Sequence, residues 1–391
     1  TALKGVLSDE KCSKMLASLR QEDMLLFFRE WMKHKKSDEY VAYDVTSVSS
    51  YSRNITDLEW GYNRDKEKLP QINIGMYFGE ETRLPLYYRV YPGSISDKAH
   101  LKYMIADNDF INGQKARFVM DGGFYSADNL RYLTERGYRF VIALPTNLKY
   151  CTELIKKHGG EIANHSEYRL GSGLPYGKSY EETVLGFRMK VHLFYDSQKA
   201  LKETEALYSL IDAQENDLRN MEEPPDKKLH YDRYFFINRS KDGKLAYRRN
   251  NKAIDEQLAL CGYFLIAETD FKKTTAEILD IYRNRDIVEK SFDILKNELD
   301  MKRLHTWASE TAQGKLFVSF ISLIVRSYML NGLSDYMRKN GFTLKKIILE
   351  LDKMKCFTQS SSHSPRPLNP PTKTQREIYA SLALDTDDCI G

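Results

Sequence analysis

The sequence predicts an α/β protein, with a mixed sheet flanked by helices and a β-rich insertion between an acidic strand end and a late acidic helix. Three observations predict it. A run of three strand-like segments is followed by segments that alternate between helix and strand, as a mixed sheet with crossover helices requires. From residue 151 to 254 the texture breaks into Gly-rich turns and short β segments around one charged helical run. Strand character then returns at "CGYFLIAETD", ahead of two long helical patterns.

The elements follow in chain order. Residues 1–38 read as helical, with Ser8 and Asp9 as capping signals before "EKCSKMLASLRQEDMLLFFREWMKH". The chain opens at "TALKG", without a methionine or a signal-peptide pattern, so a processed or truncated start is expected. "YVAYDVTSVS" is the first strand, with Val41, Tyr43 and Val45 on one face and Ala42 and Asp44 on the other. "LPQINIGMYFG" and "RLPLYYRVYPG" complete a three-strand meander. Ser96 caps a helix over "DKAHLKYMIAD". "ARFVMDGGFYS" is a short buried strand that ends in a Gly-rich turn, and Ser126 and Gly137 bound the next helix. "YRFVIALP" is one more strand. After the insertion and "CGYFLIAETD" come a helix holding "YRNRDIVEKSFDILK" and an apolar helix near Phe317 to Leu330. Beyond Thr358, "SSSHSPRPLNPPTKT" reads as a linker or tail. The expected division is an N-terminal helical segment 1–38, a core in two parts 39–150 and 255–335, an insertion 151–254, and a C-terminal helix and tail 336–391.

Composition excludes several classes. Apolar content of 42% is ordinary for a globular chain of 391 residues. The most apolar run, "LFVSFISLIVRSYML", is interrupted by Arg326, so a buried helix and no membrane partner are expected. Five scattered cysteines without CxxC spacing suggest neither a disulfide framework nor a zinc site, and a reducing cytoplasm fits them. Net charge is only +4, but residues 227–252 carry nine Lys or Arg against two Asp, with five aromatics interleaved. Such a segment could hold phosphates and stack bases, and Arg248 and Arg249 are its candidate contacts. The alternative is a hairpin whose aromatics pack inward.

The helix 282–296 raises a sharper question. At about 100° per residue, Tyr282, Arg285, Glu289 and Lys296 share an arc of about 60° beside the apolar Val288, Phe292, Leu295 and Leu299. Taken alone, this is most simply a solvated flank with ion pairs. Two further acids stand out: Asp44 within the first strand and Asp121 at the end of the fourth, before Gly122 and Gly123. Convergent carboxylates repel unless cations hold them. Mg²⁺ takes oxygen ligands and leaves open positions for water and phosphate. Two such ions can serve the attacking and leaving oxygens of a phosphodiester displacement.

These residues resemble a known family. Tyr282, Arg285, Glu289 and Lys296 match the Y-x2-R-x3-E-x6-K signature of bacterial insertion-sequence DDE transposases. "YDVTSVS", "LPQINIGMYFGEETRLPLYYRVYPGSISD" and "FVMDGGFYS" look like the blocks around that family's two aspartates. The resemblance covers roughly residues 39–335 and implies a ribonuclease H-like fold. It implies that Asp44, Asp121 and Glu289 are catalytic and bind two Mg²⁺ ions, with Mn²⁺ as a substitute. It also implies that Tyr282, Arg285 and Lys296 hold DNA phosphates near the scissile bond. The expected partners are double-stranded DNA, as transposon ends and target, and a second copy of the chain in a homodimer. The expected place is the bacterial cytoplasm, at the nucleoid. One departure is that Trp31, Trp60 and Trp307 all lie outside the insertion.

The implied activity is metal-dependent strand cleavage at transposon ends, followed by strand transfer into target DNA. Two alternatives stay open: a ribonuclease H-like nuclease that cleaves and never joins, and a catalytically inactive DNA-binding relative.

Overall fold

The computed structural model describes residues 8–36, 38–112, 115–173, 175–221, 231–239, 245–354, 356–357, 366–367 and 369–384. The strands of interest are β1 (Tyr40–Ser49), β2 (Gln71–Gly79), β3 (Pro85–Pro92), β4 (Arg117–Met120), β5 (Arg139–Leu144), β6 (Tyr176–Val184), β7 (Phe187–Tyr195), β8 (Phe235–Arg239), β9 (Leu245–Arg249) and β10 (Tyr263–Glu268). The helices are α1 (Asp9–Ala17), α2 (Gln21–Trp31), α3 (Asp97–Asn112), α4 (Ala127–Glu135), α5 (Lys149–Asn164), α6 (Ser197–Arg219), α7 (Asn251–Leu258), α8 (Thr275–Asn284), α9 (Asp286–Asp293), α10 (Ser309–Asn340), α11 (Leu344–Leu351) and α12 (Lys373–Ser381). The chain forms two units, one of Thr1–Lys115 with Arg285–Gly391, the other Ala116–Asn284.

In the first unit, β1, β2 and β3 form the expected antiparallel meander, with Asp44 opposite Met76. The alternation expected of β1 is absent in burial: every residue is buried except Asp44, which is half-buried. The strand is covered on both faces, so its small and hydroxyl residues are buried as well as Val41, Tyr43 and Val45. An aromatic cluster joins the helices to the meander, with Phe28 meeting Tyr87 at 4.8 Å and Phe320 at 5.5 Å between ring centroids. Helix α1 lies against α10 where a glycine permits it. A Cβ on Gly314 would sit only 2.1 Å from the Leu16 carbonyl oxygen and 2.7 Å from its carbonyl carbon, closer than any side chain allows.

Helix α10 is long and apolar enough to cross a membrane by length and composition alone. Its Leu316, Phe317, Phe320 and Leu323 are buried in this unit, as expected of a core helix. Gly341 ends it in the left-handed conformation, φ 63°. Part of the expected tail lies outside the described residues. The end of it folds, however, because Thr372 and Gln375 form a capping box for α12. Ile378 of α12 then packs with Leu333, Leu344 and Ile347.

A buried histidine makes this unit acid-sensitive. His100 stacks on Tyr91 with ring centroids 3.7 Å apart and is 2% exposed. Burial first, and the Arg89 guanidinium second, push its imidazole down from 6.5 to about 3. The unfolded chain takes up a proton near pH 6.5 that the folded chain refuses until about 3. The contribution to stability is therefore complete above the unfolded value and is lost as pH falls through that window. His100→Phe should remove this slope. Between urea titrations near pH 7 and near pH 5, the wild type should lose roughly 2 kcal/mol more than the variant, at about 1.4 kcal/mol per pH unit. Equal losses would exclude His100 as the cause.

In the second unit, strands β4, β5, β10, β7 and β6 lie side by side in that order. β4 and β5 are parallel, while β5–β10, β10–β7 and β7–β6 are antiparallel. Residues 151–254 thus contribute two strands that extend this sheet through β10. The contact is apolar: Leu193 faces Leu265, and Phe194 stacks on Phe264 at 4.8 Å. The rest of that stretch builds a small core of its own, in which Leu207, Ile211 and Leu218 of α6 meet Tyr231, Tyr234, Phe235 and Ile254. The class is therefore α/β with a mixed sheet flanked by helices, as the sequence predicts.

Candidate active site

The single helix expected from Tyr282 to Lys296 is not one regular helix. α8 ends at Asn284, α9 starts at Asp286, and residues Ile294–Glu298 form a π-helical turn. The wider π turn takes Lys296 off the 100° spacing that placed it with Glu289. The buried face is as expected for Val288, Phe292 and Leu295, while Leu299 is half-buried. Through that face α9 packs on β1 and β2.

This packing brings three predicted residues of the first unit together. Arg285 Nη1 lies 3.3 Å from Asp44 Oδ2, and its Nη2 donates to Glu289 Oε1 at 2.9 Å. One guanidinium thus spans the two carboxylates. The side chains of Arg285 and Asp44 are only 10% and 14% exposed, whereas Glu289 is 55% exposed. Asp44 Oδ1 also accepts from the Val45 backbone N–H at 2.8 Å, which orients the carboxylate along the strand. The Asp44–Arg285–Glu289 cluster is therefore buried on its Asp44 side and solvated at Glu289.

Lys296 is placed differently. Its Nζ donates to Asp65 Oδ2 at 2.6 Å, and its side chain is 10% exposed. Asp65 belongs to the loop between β1 and β2, where Asn63 Oδ1 accepts from the backbone N–H groups of Asp65 and Glu67. The same loop sends Glu67 to Arg303, 2.9 Å from its Nη2, and the guanidinium holds the Glu67 carboxyl below its usual range. Sequence reasoning missed Asp65 and Glu67. The run "NRDKEK" alternates in charge and reads as a solvated turn, and no local pattern ties it to a helix some 230 residues away.

Asp121 and Tyr282 belong to the second unit. Asp121 caps a short 3-10 turn, Gly122–Phe124, and its Oδ1 accepts from the Gly123 N–H at 2.8 Å. A Cβ on Gly123 would come within 2.9 Å of that oxygen, so the Gly-rich turn leaves room for the carboxylate. Tyr282 is a half-buried residue of α8.

The basic segment divides by role. Residues 227–230 and 240–244 lie outside the described residues. Tyr231, Tyr234 and Phe235 are buried in the small core, so most of its aromatics pack inward. Arg249 is held by Asp212 at 2.9 Å and by Glu215, both on α6. Arg248 instead lies over the exposed ring of Phe236, 4.6 Å from its centroid.

Among the described residues, no group of three or more His, Cys, Asp or Glu side chains lies close enough to hold a metal ion. The donor chemistry nevertheless suits a hard cation. Asp44 and Glu289 offer only oxygen, and they already converge on one cationic group, the Arg285 guanidinium.

A family model described as a transposase DDE domain matches residues 35–325. No curated protein matches the chain. Among solved structures, it is similar to the piggyBac transposase synaptic complex with hairpin DNA, at 11% identity, over 96% of this chain and 58% of that one, with a TM-score of 0.41. The Mos1 transposase paired-end complex with the left transposon end is 10% identical over 42% of this chain and 53% of that one, TM-score 0.19. The Drosophila P element transposase strand transfer complex is 12% identical over 86% and 82%, TM-score 0.18. The chain spans 58% of the piggyBac chain and 53% of the Mos1 chain.

Proposed function

Because the chain belongs to the family of transposase DDE domains, we propose that it cleaves DNA strands at the ends of a bacterial insertion sequence and transfers them into target DNA. The observation that carries this reading is the pairing of Asp44 and Glu289, 245 residues apart, through the buried Arg285. A surface ion pair has no need of a strand-centre aspartate. Catalysis that must neutralise two acids does.

Asp44, Asp121 and Glu289 would hold two Mg²⁺ or Mn²⁺ ions. When bound, the ions supply Lewis-acid activation of the attacking oxygen and stabilisation of the leaving one. The chain's own residues then do the positioning. β1 fixes Asp44 on a buried strand, and α9 fixes Glu289 on a packed helix, so both carboxylates sit on rigid elements. Arg285 orients the pair and balances its charge. Tyr282 and Lys296 are the remaining members of the Y-x2-R-x3-E-x6-K signature, and their role is to bind phosphate oxygens beside the scissile bond. For Lys296 this means exchanging the Asp65 carboxylate for a phosphate. The protein works as a homodimer on paired ends, at the nucleoid.

The test is incubation with Mg²⁺ and a labelled duplex carrying the terminal repeat of the element that encodes the chain. Nicked product followed by joined product is the expected result. Nicking without joining would leave a ribonuclease H-like nuclease, and DNA binding without either would leave an inactive relative.

The basic hairpin is proposed as a second DNA contact, through Arg248. Arg248→Glu should weaken DNA binding and lower the salt slope by about one to two, since each phosphate contact contributes about 0.9. Arg249→Glu should instead break its pairs with Asp212 and Glu215 and lower the melting temperature. An unchanged salt slope in Arg248→Glu would remove the hairpin from the DNA interface.

A further inference from the structure

The first unit holds a second built feature that the carboxylate site does not use. A cavity of about 290 Å³ opens between the loop that follows β1 and the loop that precedes α10, lined among others by Tyr51, Arg303, His305, Thr306 and Trp307. Its two aromatics are unusually exposed, Tyr51 by 66% and Trp307 by 71%. A tryptophan is costly to leave in water, and exposed aromatics gathered around one cavity mark a binding site more often than a core.

The cavity walls are fixed rather than loose. Ser49 and Arg303 form a parallel bridge, as do Asn54 and Ala308. The Leu304 N–H donates to the Ser49 carbonyl at 3.1 Å, and Ser52 Oγ donates to the Trp307 carbonyl at 2.7 Å. Glu67 grips Arg303 from behind, and the guanidinium lies over the Tyr51 ring, 5.1 Å from its centroid. His305 is held at φ 47°, a left-handed conformation that costs a non-glycine residue about 1 kcal/mol or more and is retained where a side-chain arrangement demands it. Thr306 Oγ1 is buried with no hydrogen-bond partner among the described residues, so one polar group in the wall has a bond to offer.

We propose that this cavity is a stacking site for an unpaired nucleobase of a DNA strand. Tyr51 and Trp307 supply flat apolar surface, Arg303 and the exposed Lys302 supply positive charge for the neighbouring phosphates, and Thr306 Oγ1 supplies a hydrogen bond to the base edge. An aliphatic ligand would gain nothing from the guanidinium, and a base already stacked and paired in a duplex has no free face to offer the two rings. The cavity starts at Ser50, six residues beyond Asp44, or roughly 20 Å along the extended chain. The base it takes is therefore several nucleotides from the scissile phosphate, in a strand already opened. This inference rests on the proposed action on DNA but addresses a separate site.

The test compares three probes on the full chain: a single strand of about twelve thymidines, the same strand with every base replaced by an abasic residue, and thymidine monophosphate at equal nucleotide concentration. Affinity is read by anisotropy of a labelled strand, and stacking by quenching of tryptophan emission. The wild type should bind the base-bearing strand about tenfold more tightly than the abasic one. Trp307→Ala and Tyr51→Ala should each remove most of that preference, Trp307→Phe should keep it, and Trp60→Ala should leave it unchanged. Melting temperatures identify any variant that fails to fold, and Trp307→Phe then carries the comparison through its loss of quenching with preference retained. Equal affinity of the wild type for both strands would overturn the proposal, as would full preference in a folded Trp307→Ala. Quenching by the free nucleotide as strong as by the strand would overturn the assignment to a DNA strand. Metal-dependent nicking by the same preparations separates the two ideas: nicking without base preference removes only the cavity, and base preference without nicking removes only the transposase reading.

Discussion

Glu289→Gln is expected to fold and to bind DNA while strand cleavage falls on the order of a thousandfold. Glutamine has nearly the same volume, and its amide oxygen can still accept from Arg285 Nη2, the bond that glutamate makes at 2.9 Å. Glu289 is 55% exposed, so the loss of its charge should change stability by no more than about 1 kcal/mol. What glutamine cannot supply is a formal negative charge for a divalent cation. The measurement is the rate of nick formation with Mg²⁺, alongside a melting curve and a DNA-binding isotherm for each protein. Equal cutting by both proteins would take Glu289 out of the chemistry and the two-metal reading with it.

Arg285→Ala should act on stability as well as on cleavage. The guanidinium is 10% exposed and faces Asp44, which is 14% exposed, so truncation strips a buried carboxylate of a cation. Breaking a pair of this kind costs about 2–3 kcal/mol, discounted from the fully buried range because Glu289 is solvated. A divalent cation can replace the missing charge. Millimolar Mg²⁺ or Mn²⁺ should therefore raise the melting temperature of the variant more than that of the wild type. Thermal denaturation with and without the metal, in the presence and absence of chelator, reads both effects. An unchanged melting temperature in Arg285→Ala would mean that the guanidinium does not hold the acid pair.

These two outcomes separate the roles of residues that sequence spacing treats alike. Arg285, Glu289 and Lys296 look equivalent as members of one stripe. In the fold, Arg285 is a buried bridge, Glu289 a solvated acid, and Lys296 a nearly buried cation tied to Asp65. A shift from α to π geometry after Asp293 decides the last of these, and such a shift depends on how Leu295 seats in the core.

The sequence by itself determined the elements whose cause is local. Ser8, Ser126 and Gly137 stand where α1 starts and α4 starts and stops, because caps and left-handed turns are set by single residue types. The meander β1–β3 was legible from apolar content and turn residues, and Asp44 from being the one acid in its strand. The spacing of Tyr282, Arg285, Glu289 and Lys296 was legible because four side chains at fixed intervals are a property of the chain alone. What only tertiary structure decided is which charges meet. The loop 63–67 carries Asp65 to Lys296 and Glu67 to Arg303, and its own sequence bears no trace of that destination. Likewise β7 of the insertion joins the sheet at β10, where Leu193 and Phe194 face Leu265 and Phe264 across the ladder, and β6 follows through its pairing with β7. Coulomb attraction and strand pairing act between whatever the fold brings near, and nearness in space is not written in nearness along the chain.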